Sequence, residues 1–181
     1  EMSGGRSTAL VENSPNLYPI HPTAFLALAT AVKRFGQSQR SLFSFLLASE
    51  ANGLQQFVRS SELHAENWYR LPRLYDYLAA LDGVIFRQGD RARKWDLLRE
   101  TLAHGPELDV LESDVVKTVG LLNVLDPVPY LLTDNRTLSR ALTDKDESKE
   151  VSEALGSLMK KGVLYFRRAQ GDYCLWRHSS V

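Results

Sequence analysis

The 181 residues contain one cysteine, Cys174. One thiol cannot build an internal disulfide framework or a cysteine-based zinc site, and it suits a reducing compartment. The four histidines, at 21, 64, 104 and 178, are far apart and share no metal-ligand spacing, so no metal centre is expected. A GxSxG nucleophile turn is missing. So is a GxxxxGK[ST] loop, and the chain by itself has no usual route to cradling a triphosphate. No apolar run approaches the roughly 18 residues of a membrane span, and the opening "EMSGGRSTAL" lacks the apolar stretch of a signal peptide. Net charge is absent too: 22 Lys and Arg stand against 22 Asp and Glu, so attraction to nucleic acid must come from local patches. From these absences a soluble, cytoplasmic protein with no membrane partner is expected.

What is present is ordinary globular material, 44% hydrophobic and 24% charged, in a length that accommodates one or two domains. Residues 1–16 are rich in Ser, Gly, Asn and Pro and read as a flexible leader. The chain opens on Glu1 ahead of Met2, which is expected of a tag remnant or of a piece cut from something longer. Pro22 suits the first position of a helix, and Phe25, Leu28, Ala29 and Val32 share one face of it up to Gly36. Ser38 is placed to cap a second helix that buries Leu42, Phe45 and Leu46, and the short turn "FGQSQ" predicts a helical hairpin. Further helices are expected in "LQQFV", in "RLPRLYDYLAAL" through Leu74, Tyr77 and Leu78, and in "RARKWDLLRETLAHG". The last of these is expected to take Asp90 as its cap and to bury Trp95, Leu98 and Leu102 before Gly105-Pro106.

From about residue 106 the pattern changes. "SDVVKTVGLLNVL", "DNRTLSRAL" and a third segment with Val151, Ala154, Leu155, Leu158 and Met159 on one face predict three helices, the last stopped by Gly162. Two aromatic-rich strands follow, "VLYFRR" and "DYCLWRH", joined by "AQG". Three helices and a hairpin in that order predict a winged helix-turn-helix. The expected organisation is mainly α: a leader over 1–16, a helical domain over 17–105 and a winged helix over 106–181.

Two sets of charges carry a possible function. Around the first hairpin, Arg34, Gln37 and Arg40 could meet the phosphates of a nucleotide held by another domain, since a guanidinium offers a fixed charge and a fork of donors. The plainer reading has Lys33, Arg34 and Arg40 keeping an apolar hairpin soluble. In the last third, Lys160, Lys161, Arg167, Arg168 and Arg177 outnumber nearby acids and suit a DNA backbone. Against that, Glu150 and Glu153 sit on the outward face of the third helix, and a protein partner is the other open reading. His21 is expected to buttress the first helix, and Cys174 to be a core residue.

The segments "YPIHPTAFLALATAVKRFGQSQRSLFSFLLASE", "LYDYL", "VVKTVGLLNVL" and "EVSEALGSLMKKGVLYFRRAQGDYCLWRHSS" resemble the region that follows the P-loop core in large bacterial AAA+ or STAND-like ATPases, some of which serve in defence against phage. The resemblance covers roughly residues 17–178, with "FGQSQRSLFSFL" and "GVLYFRR…GDYCLWR" its most specific parts. It implies a helical lid followed by a winged helix, in a regulatory portion that is not itself a catalyst. It also implies an upstream ATPase core that binds ATP and Mg²⁺, Arg40 with Arg34 and Gln37 as nucleotide sensors, and DNA or a protein effector on the winged helix. A stand-alone DNA-binding regulator is the alternative.

Overall fold

A computed structural model describes residues 17–34, 45–48, 50–60, 67–81, 86 and 89–176. The described chain is mainly helical, with one small antiparallel sheet near its end. It divides into two compact units. The first runs to Asp82 and includes Val128–Tyr130; the second comprises Gly83–Pro127 and the chain from Leu131 onward.

In the first unit, Pro22 at the first helical position opens α1, Pro22–Arg34. His21 buttresses that start as expected: it is buried, its Nδ1 lies 2.7 Å from the Thr23 hydroxyl, and its carbonyl accepts the Phe25 N–H. The buried face of α1 is not the expected one. Ala24, Ala27, Leu28 and Ala31 are buried, whereas Phe25 is 38% exposed and Ala29 lies outward. Both stripes have helical spacing and share Leu28; three alanines let the backbone sit closer to its neighbours than a phenylalanine would. Helices α2, Leu54–Ser60, and α3, Leu71–Ala80, follow. Tyr69, at the centre of this unit, packs its ring edge-on against Phe45 at 5.3 Å and Phe57 at 5.4 Å. Its hydroxyl donates to the Asn52 carbonyl at 2.6 Å, and burial raises its pKa. The turn with Gly36 and Gln37, and the second expected helix as far as Ser44, lie outside the described residues; of the rest of that helix, Phe45 is buried as expected, Leu46 only partly so, and Leu47 points outward.

The second unit is built round α5, Val110–Leu125, whose Val115, Val116, Val119, Leu121, Leu122, Val124 and Leu125 are all buried. It starts three residues earlier than the apolar run suggested, because Asp109 and Glu112 form a reciprocal capping box. Helix α4, Gly89–His104, packs along α5, bringing Leu98 against Gly120. Asp90 lies inside the first turn of α4 and is not its cap. Trp95 and Leu98 are buried, and Leu102 only partly so. Leu98 and Trp95 belong to this core, and α4 is part of the second compact unit.

Helix α6, Asn135–Thr143, is capped by Asp134 and ends with Asp144 in the left-handed region. Helix α7, Lys149–Lys160, is capped by Ser148. Gly162, with φ of 69°, closes it: the Gly162 N–H reaches the Met159 carbonyl and the Val163 N–H reaches that of Leu158. Val151, Ala154, Leu155 and Leu158 are buried as their spacing predicts, but Met159, also expected inside, is 44% exposed. Strands β1, Leu164–Arg167, and β2, Asp172–Leu175, pair with Leu164 opposite Leu175 and Arg167 opposite Asp172. The outer edge of β2 is held as well. The Tyr173 N–H donates to the Thr133 carbonyl at 2.8 Å, the Thr133 hydroxyl donates to the Tyr173 carbonyl at 2.8 Å, and the Leu175 N–H reaches Asn123 Oδ1 at 3.3 Å. The chain at Thr133, between α5 and α6, thus flanks the hairpin.

Candidate interaction surface

Two of the charges singled out in the last third, Lys161 and Arg167, are drawn into ion pairs. Lys161 lies just past the end of α7, and its Nζ donates to Glu112 Oε2 at 2.6 Å and to the Glu107 carbonyl at 2.8 Å. Glu112 is buried and also accepts from the Ser157 hydroxyl at 2.6 Å and the Asp109 N–H at 2.9 Å. The Lys161 ammonium first, then the Ser157 hydroxyl, pull its pKa down to about 2 from 4.5. This carboxylate ties the start of α5 to the end of α7.

Arg167 is held across the hairpin in the same way. Its Nε donates to Asp172 Oδ1 at 2.8 Å and its Nη2 to Oδ2, a two-pronged pair whose carboxylate is buried. That pairing raises the Arg167 pKa above its ordinary value. On α6, Arg136 and Arg140 both grip Asp146, whose pKa falls in consequence, and on α7 Lys149 lies 3.4 Å from Glu153. From α6 to β2, Arg136, Arg140, Lys149, Lys161 and Arg167 are therefore matched by carboxylates of the same unit, as Arg93 and Lys94 of α4 are by Asp90.

Lys160, on the last turn of α7, and Arg168, at the start of the hairpin turn, are exposed and make no ion pair among the described residues. Arg177 lies outside those residues, as do Gln37 and Arg40; Arg34 ends α1, and its side chain is not among those described. The structure thus brings together Lys161 with Glu112 and Arg167 with Asp172, and no assembled nucleotide-sensing group lies among the described residues.

The exposed apolar side chains of the unit include Met159, Phe166 and Trp176, each 40% to 47% exposed. Phe166 lies against Tyr173, with ring centroids 4.9 Å apart, and Trp176 meets Tyr165 edge-on at 5.4 Å. Strand alternation puts Phe166 and Trp176 on opposite faces of the hairpin. Cys174 is buried as expected, and burial pushes its thiol pKa up, so it stays protonated and unreactive.

Sequence reasoning missed the carboxylate partners. A signal for one of them was present: Arg167 and Asp172 flank a four-residue turn, which places them opposite each other in a hairpin. The Asp109-x-x-Glu112 capping box was legible too, but nothing in the sequence joins Glu112 to Lys161, 49 residues away. Among the described residues no group of three or more His, Cys, Asp or Glu is placed to hold a metal ion, and no helix is long and apolar enough to cross a membrane. Comparison of the chain with protein families, characterised proteins and solved structures finds no match.

Proposed function

We propose that the segment from α5 to β2 is a winged helix-turn-helix that works as a protein-interaction module, not as a reader of DNA. The order of three helices and a hairpin supports that architecture, and so does the Thr133 segment lying along β2 between the first two helices. The observation that carries the functional choice is the internal pairing of the cations. Turning Arg167 towards a phosphate would leave the buried Asp172 without its partner, a loss of roughly 1.5–3 kcal/mol for a charged hydrogen bond. Glu150 and Glu153, exposed on α7, would repel a phosphate backbone, while exposed Met159, Phe166 and Trp176 suit a protein partner.

Titration of the chain with duplex DNA over a range of salt tests this. If only Lys160, Arg168 and Arg177 meet phosphates, log K falls against log salt with a slope of about −2.7; five engaged cations would give about −4.5. The expected result is a slope no steeper than about −2.7 that falls to about −0.9 or less in the Lys160→Ala/Arg168→Ala double variant. A slope near −4.5 would establish the DNA-binding regulator instead, a reading favoured only by the exposure of those two cations.

The larger setting we propose is a nucleotide-driven switch. In it an upstream ATPase core binds ATP and Mg²⁺, the first unit acts as lid, and the second carries the effector contact, in a bacterial cytoplasmic system of the kind used in antiviral defence. Its support is the resemblance drawn above and the succession of a helical unit and a helix-rich unit ending in a hairpin. Arg40→Ala in a longer protein bearing the core is expected to lower ATP turnover with folding unchanged; wild-type turnover would remove the sensor role.

A further inference from the structure

We draw no further inference here: the strongest candidate, the cleft of about 290 Å³ that α4, the end of α5 and the β-hairpin enclose in the second unit, carries nothing, because Lys94 is engaged with Asp90, Arg167 with Asp172 and Asn123 with the β2 backbone, and nothing in the structure shows what would fill it.

Discussion

Glu112 illustrates how one side chain can serve several needs. It completes the cap of α5, neutralises Lys161 and accepts from Ser157, so three donors converge on a single buried carboxylate. Its folded-state pKa of about 2 lies below the ordinary 4.5. A depressed carboxylate pKa adds stability that is complete above the unfolded value and is lost as pH falls through the folded one, here between 4.5 and about 2. Glu112→Gln keeps the shape but removes the charge. It is expected to cost about 2 kcal/mol at neutral pH and to flatten the fall in stability across that acid window, as measured by urea unfolding at a series of pH values. An acid limb as steep as in the wild type would mean that Glu112 does not carry the charge coupling.

At the scale of elements, two glycines in helices of the second unit make opposite predictions. A Cβ on Gly120 would lie 2.3 Å from Leu98 Cδ1 and 2.9 Å from its Cγ, and Leu98 is wholly buried. Alanine there gains up to about 1 kcal/mol of helix propensity, but the clash is expected to outweigh it and leave Gly120→Ala roughly 1–3 kcal/mol less stable. A Cβ on Gly156 would meet nothing within 4 Å, so Gly156→Ala is expected to stabilise α7 by about 0.5–1 kcal/mol. Chemical denaturation of both variants checks the pair, and equal signs would contradict the packing described. The helices were readable because caps and apolar spacing are local: Ser148, Gly162 and the Val151–Leu158 face all act within a few residues of one another. What was not readable depends on contacts distant in sequence. The alanine face of α1 and the outward turn of Met159 follow from which neighbour each helix meets, and periodicity cannot choose between two stripes one residue apart. The contact of Thr133 with β2 was silent because a single residue has no period. Of the candidate site, the exposure of Lys160 and Arg168 was legible, and the partners of Lys161 and Arg167 were not.

Across the whole molecule, acids and bases balance at 22 each, and in the second unit the balance recurs as pairing at close range. Such pairing ties α7 to α5 and closes the hairpin, and it engages Lys161 and Arg167 with carboxylates. The central claim is that Glu112 and Asp172 withhold Lys161 and Arg167 from phosphates. The most direct test compares the salt dependence of low-salt DNA binding by the wild type, Glu112→Gln and Asp172→Asn, with folding checked by circular dichroism and the Gly156→Ala background available to offset lost stability. Each neutralised carboxylate should release one cation and steepen the slope by about 0.9 from a wild-type value no steeper than about −2.7; a wild-type slope already near −4.5, left unchanged by either substitution in a folded chain, would contradict the account.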